Sequence, residues 1–179
     1  MRRAVMPVLL AALSLAAPAA GDARARAIAG GDAAACELQQ GPAVEVHITG
    51  LKDRKGRLKL ELYPGTEEDF LKDDRDLVAQ GKFFRRIWAE TPATGDVVLC
   101  IKAPHAGRYG LFFTHDRDGK NKFSVWNDGA GIVSNKRLGS SKPRLAASDI
   151  VLGEGVAVIT IRAQYLRGIF SGFGPLKDS

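Results

Sequence analysis

Apolar and polar positions alternate in two neighbouring stretches. Val44, Val46 and Ile48 are interleaved with Glu45, His47 and Thr49, and Leu58, Leu60 and Leu62 with Arg57, Lys59, Glu61 and Tyr63. A period of two turns one side of each segment to a core and the other to water, so both are predicted as half-buried strands, joined in a hairpin by the polar turn 52–56. Further strands are predicted over 83–89, 97–103 and 109–114; in the last, Tyr109, Leu111 and Phe113 alternate with Gly110, Phe112 and Thr114. Strands over 148–152 and 156–163 close the chain as a hairpin turned by Gly153-Glu154-Gly155. The last of these is apolar on both faces, which predicts a central, covered strand. Thr66 followed by Asp69 resembles a capping box opening one short helix, with Phe70, Leu71, Leu77 and Val78 on roughly one face and Gly81 closing it. From 116 to 146 neither period is sustained, which predicts a long loop. The fold class expected is mainly β: a seven-stranded antiparallel β-sandwich with one short helix and a long loop. Val44, Val46, Ile48, Leu58, Leu60, Leu62, Leu111, Phe113, Val158 and Ile159 are expected to supply much of its core.

Composition sets the scale. The chain has 179 residues, 45% hydrophobic and 26% charged, with 20 Gly and 8 Pro, a profile of one turn-rich domain. The strongest apolar run, 8–17, follows Arg2 and Arg3 and precedes Ala17-Pro18-Ala19. It is about half the length that crosses a bilayer, so residues 1–19 are predicted to be a secretory signal peptide, with Ala25-Arg26-Ala27 as a second cleavage candidate. No transmembrane segment is expected after cleavage, and the mature protein is expected to be periplasmic or secreted. Residues 20–42, rich in Ala and Gly, read as a flexible lead-in; 43–164 as the sandwich domain; and 165–179 as a tail packed on it through Phe170, Phe173 and Leu176. Export and an even count predict a disulfide between Cys36 and Cys100; two buried free thiols are the alternative.

Formal charge is +6, and removing Arg2 and Arg3 with the signal leaves 24 basic against 20 acidic residues, or +4. That balance and the expected compartment argue against nucleic acid, while anionic lipid headgroups or polysaccharide remain open as partners. The densest polar cluster runs from His115, Asp116 and Asp118 to Lys120 and Asn121 at the end of a predicted strand. Alternating acids suggest calcium, yet Lys120 stands where the next oxygen ligand is wanted and Asn121 where glycine is wanted. A hydrogen-bonded turn with Lys120 balancing the carboxylates is therefore favoured over a metal, and no cofactor is expected. Trp126, Asn127 and Asp128 add an aromatic face, an amide and an acid, a mixture suited to a sugar ring, although a single loop Trp also serves as a packing plug. Nucleophile-elbow, zinc-protease and nucleotide-binding signatures are absent from the sequence, and His47, His105 and His115 lack metal-ligand spacing.

Gly107-Arg108-Tyr109, followed by Phe112-Phe113-Thr114-His115-Asp116-Arg117-Asp118-Gly119, resembles the central motif of a bacterial exported family, the domain of unknown function numbered twenty-one forty-one. Gly50-Leu51-Lys52, Lys55-Gly56, Leu62-Tyr63, Gly131, Ser134-Asn135 and Lys142-Pro143 extend the likeness across about 43–163. The resemblance implies a transthyretin-like or immunoglobulin-like sandwich and no established activity. Typical members carry a more calcium-like loop, His-Asp-x-Asn-x-Asn-Gly; His115, Asp116 and Asp118 match it, whereas Lys120 and Asn121 depart from it. The function expected is a cell-envelope binding or accessory module of unknown ligand, without catalysis; a small periplasmic hydrolase acting on a glycan or another envelope component is the alternative. His115, Asp116, Asp118, Trp126, Asn127 and Asp128 are the candidate ligand-binding residues, and Asp116 and Asp118 the candidate metal ligands.

Overall fold

The computed structural model describes residues 27–168 and 170–177. The expected signal peptide lies outside the described residues. Eleven strands are found among them: β1 (Ile28–Ala29), β2 (Ala43–Thr49), β3 (Arg57–Pro64), β4 (Arg85–Glu90), β5 (Val97–Lys102), β6 (Gly107–Asp116), β7 (Gly129–Ile132), β8 (Asp149–Leu152), β9 (Val156–Arg162), β10 (Gln164–Leu166) and β11 (Phe173–Pro175). They form a seven-stranded antiparallel sheet ordered β11-β10-β7-β6-β3-β4, with β8 also on β6, and a four-stranded sheet ordered β1-β5-β2-β9. The smaller sheet is mixed, since β1 runs parallel to β5 and β9 parallel to β2. The four strands beyond the seven expected are short: β7 lies inside the long loop, β10 and β11 lie around the tail, and β1 has two residues, too few to show a period.

The predicted alternation holds on β2, β3 and β6, whose inward residues Val44, Val46, Ile48, Leu58, Leu60, Leu62, Leu111 and Phe113 are buried in one cluster contributed by both sheets. The hairpins do not hold. β2 pairs with β5 and β9 while β3 pairs with β4 and β6, so the 50–56 turn carries the chain from one sheet to the other. Likewise β8 joins β6 and β9 joins β2. β9 is an edge strand rather than a central one: Ile161 is buried and Ile159 packs on the core, but Val158 is 63% exposed.

The segment read as a flexible lead-in is ordered over its described part. β1 and helix α1 (Ala33–Glu37) lie against β5, where Cys36 joins Cys100 in a disulfide and Ala35 and Ala43 complete a small apolar cluster. This explains why β5 is buried on both faces from Val97 to Ile101. Asp32 fixes the segment by accepting from Arg85 and from the Lys102 N–H. Burial raises its pKa, but these partners outweigh burial and hold the carboxyl below its usual range.

Helix α2 (Asp74–Ala79) starts later than predicted. Thr66 and Asp69 do exchange hydrogen bonds, the Asp69 N–H to Thr66 Oγ1 (3.2 Å) and the Thr66 hydroxyl to Asp69 Oδ2 (2.8 Å), but they close only a turn. Leu71, at φ 58°, then leaves the right-handed region, and Asp73 caps the helix by accepting from the Arg75 N–H. Gly81 closes it as expected, at φ 67°. The Lys82 N–H reaches the Leu77 carbonyl and the Gly81 N–H that of Val78, the paired bonds of a Schellman end. Val78 is exposed, not on the packed face. In the tail Phe173 is buried and Leu176 packs on the core, whereas Phe170 is fully exposed.

Candidate functional site

Strands β3 and β6 pair along their lengths, placing Leu58 opposite His115, Lys59 opposite Thr114, Leu60 opposite Phe113 and Glu61 opposite Phe112. Alternation therefore gives the sheet two unlike faces. Leu58, Leu60, Phe113 and His115 point to the core; Lys59, Glu61, Phe112, Thr114 and Asp116 point the other way.

His115 is thus separated from the acids beside it in sequence. It is fully buried, with Nδ1 2.7 Å from the Tyr165 hydroxyl and Nε2 2.7 Å from the Lys55 carbonyl. A carbonyl only accepts, so Nε2 carries the proton and Nδ1 accepts from Tyr165, whose oxygen also takes the Lys52 N–H (3.0 Å). Burial lowers the imidazole pKa, more than the Lys55 hydrogen bond raises it. Burial likewise pushes the Tyr165 phenol up to about 12. This neutral pair ties the 52–55 turn to β6 and β10, which is a structural task. Gly56, at φ 69°, follows that turn where a Cβ would stand 2.1 Å from the Asp116 carbonyl oxygen, so only glycine lets β3 approach the start of the acidic loop.

The acids do come together. One carboxylate oxygen from each of Asp116, Asp118 and Asp128 lies within 4.8 Å of the others. Asp118 Oδ1 accepts the Lys120 N–H (3.2 Å) and Oδ2 lies 3.2 Å from Lys120 Nζ, which is the predicted turn with its internal counter-charge. Asn121, at φ 58°, supplies the left-handed residue that glycine supplies elsewhere, and its N–H reaches Asp116 Oδ2 (3.1 Å). Asp128 closes the loop from its far end, accepting from the N–H groups of Arg117 (2.9 Å) and Ser124 (2.8 Å). Arg117 is drawn aside by Asp53, whose carboxyl it holds below the usual range. Asn127 is placed at the rim of the cluster, its amide 3.5 Å from Asp118 Oδ2.

The middle of the same loop turns its apolar residues elsewhere. Phe123, Val125 and Trp126 form one wall of a cleft of about 600 Å³ over the outer face of the larger sheet. Its floor is Tyr63, Phe112, Thr114 and the Lys59–Glu61 pair, and Phe173 closes it with its ring 5.8 Å from that of Phe123. Glu61 is buried, but Lys59 Nζ (3.2 Å) and Arg86 (2.7 Å) neutralise it, and Asp74 engages the same Arg86 (3.0 Å). Two cations against two carboxylates leave the floor without net charge. Trp126 is 68% exposed, so it is a wall residue and not a packing plug.

The six expected residues therefore divide: Asp116, Asp118, Asn127 and Asp128 share the acidic cluster, Trp126 belongs to the cleft, and His115 belongs to the core. Lys59, Glu61, Tyr63 and Phe112 are cleft residues that the sequence reading did not single out, and Phe173, read as a tail-packing residue, joins them. Their signal was weak, because outward positions of β3 and β6 look like an ordinary solvated face until a loop covers them. No helix among the described residues is long and apolar enough to cross a membrane. No curated protein and no solved structure matches the chain. A family model described as an uncharacterized protein conserved in bacteria, DUF2141, matches residues 46–160, and the chain belongs to that family.

Proposed function

We propose that this protein is a non-catalytic binding module of the bacterial cell envelope that takes the apolar part of a small lipid-like molecule into the cleft beneath Trp126. The observation that carries this reading is the cleft itself: its volume of about 600 Å³ lies in the range of small-molecule sites, and five aromatic side chains, Tyr63, Phe112, Phe123, Trp126 and Phe173, are among its lining. Its charge-compensated floor favours a ligand with an apolar body, and Lys142 in the lining suits a single anionic head. The engagement of both His115 ring nitrogens in the core supports binding over hydrolysis, since that imidazole is not free to act as a base at the loop. The disulfide is compatible with an exported protein, and two sheets sharing one core support the transthyretin-like or immunoglobulin-like sandwich that the family resemblance implies.

The test is a fluorescence titration of the full chain with an anilinonaphthalene sulfonate probe, followed by displacement with single-chain fatty acids. Saturable one-site binding is expected, weakened about tenfold or more by Trp126→Ala with little change in melting temperature. Absence of saturable binding, or an unchanged affinity in Trp126→Ala, overturns the cleft as the site. Release of a cleaved product from an envelope glycan would favour the hydrolase.

A further inference from the structure

Asp116 ends β6 with its side chain almost wholly buried, 3% exposed, and aimed into the acidic cluster. Its Oδ2 is occupied by the Asn121 N–H and lies 3.4 Å from Arg57, but its Oδ1 is buried without any hydrogen-bond partner. A buried carboxylate oxygen left in this way has lost water and gained nothing, so it points to a partner the protein itself does not supply. Asp128 is oriented by two backbone N–H groups, one on each oxygen, which leaves each oxygen with further acceptor capacity. The charges also do not close. Three carboxylates bring −3, while Arg57 and Lys120 bring +2, leaving −1. Lys120 is 73% exposed, and an ammonium held by one exposed pair gives way readily.

We infer that Asp116, Asp118 and Asp128 form a binding site for a divalent cation of the calcium class, entered by displacing the Lys120 ammonium. An all-oxygen set selects a hard cation. The three oxygens lie within 4.8 Å of one another, close enough to share one ion, and calcium accepts an irregular oxygen set where magnesium demands near-ideal octahedral geometry and gives up its water reluctantly. With Lys120 swung into water, −3 from the acids, +1 from Arg57 and +2 from the ion sum to zero. The ion joins the two ends of the 116–128 loop, whose middle carries Phe123, Val125 and Trp126 of the cleft wall, so it would hold that wall in place. The site stands independently of what the cleft binds.

Calorimetric titration of the chelator-stripped full chain with calcium chloride alone, and separately with magnesium chloride, tests this at about 0.15 M potassium chloride, where diffuse attraction is screened. One calcium per chain is expected, with a Kd of about 10⁻⁴ to 10⁻³ M, and weaker magnesium. Lys120→Asn exchanges the exposed ammonium for an oxygen ligand and should tighten calcium about tenfold, while Asp116→Asn should abolish it. Because Asp116→Asn can disturb the loop, the Lys120→Asn result stands as the second arm. No saturable heat up to about 10 mM calcium in both the natural chain and Lys120→Asn overturns the site, as does magnesium matching calcium with affinity that vanishes on adding salt. Since no cleft ligand is present, this outcome is read separately from that of the probe titration.

Discussion

Removing the Cys36–Cys100 disulfide should lower stability by about 4 kcal/mol. The bond closes a loop of 64 residues, and the chain-entropy relation gives about 14 cal/mol/K for that length, or about 4 kcal/mol at 25 °C. The local surroundings do not replace it. The cluster around it holds only Ala35, Ala43 and the two half-cystines as buried members, so α1 has little other apolar attachment to β5. The Asp32 contacts to Arg85 and to the Lys102 N–H remain and keep the segment near its place in the folded chain. The figure is an upper value because residual structure in the unfolded chain already restricts the loop. Domains of this size lose about 2–4 °C per kcal/mol, so the double variant Cys36→Ala, Cys100→Ala should melt roughly 10 °C below the parent while keeping its β-sheet circular dichroism. Both half-cystines are essentially buried, so alkylation after mild reductant should label them only in denaturant. A melting temperature within about 2 °C of the parent refutes the loop argument. Two thiols that alkylate without any reduction refute its premise.

Three further outcomes follow from the packing. Leu58→Ala should cost about 2–5 kcal/mol in urea unfolding, and Val158→Ala, on the open face of an edge strand, should stay within about 0.5 kcal/mol; equal effects would contradict the assigned faces. Gly56→Ala combines a left-handed backbone with a Cβ driven onto the Asp116 carbonyl and should cost about 2–3 kcal/mol, measured by the same unfolding curves, with a neutral result ruling out that close approach. His115 is held below its ordinary pKa by burial, so the unfolded chain takes up a proton near pH 6.5 before the folded one does. Its contribution is present above about pH 6.5 and is lost as pH falls through the lower folded value; the urea midpoint of the natural protein should therefore decline below that pH more steeply than that of His115→Gln, and parallel profiles would count against the buried neutral imidazole.

What the sequence determined by itself is local. Alternation marked β2, β3 and β6 and assigned their faces correctly, because a strand needs only its own period to separate core from solvent. The strand predicted over 109–114 stops short of His115, which is assigned to the candidate site with its acidic neighbours; β6 runs on to Asp116, and the continued alternation turns His115 inward in step with Leu111 and Phe113. The glycine that ends α2 and the two cysteines that pair were legible for the same reason, since each depends on residue type and near neighbours or on a simple count. Only the tertiary structure decided which sheet each strand joined. A strand with one apolar face satisfies its hydrophobic requirement equally in a hairpin or across a shared core, so β2–β3 and β8–β9 could not be resolved from pattern. The same holds for the site. Asp128 meets Asp116 only because backbone N–H groups of residues 117 and 124 turn the loop back on itself, and the outer face of β3 and β6 becomes a cleft only because Phe123, Val125 and Trp126 are folded over it. Contacts of that kind depend on where distant segments settle, and no period within either segment encodes them.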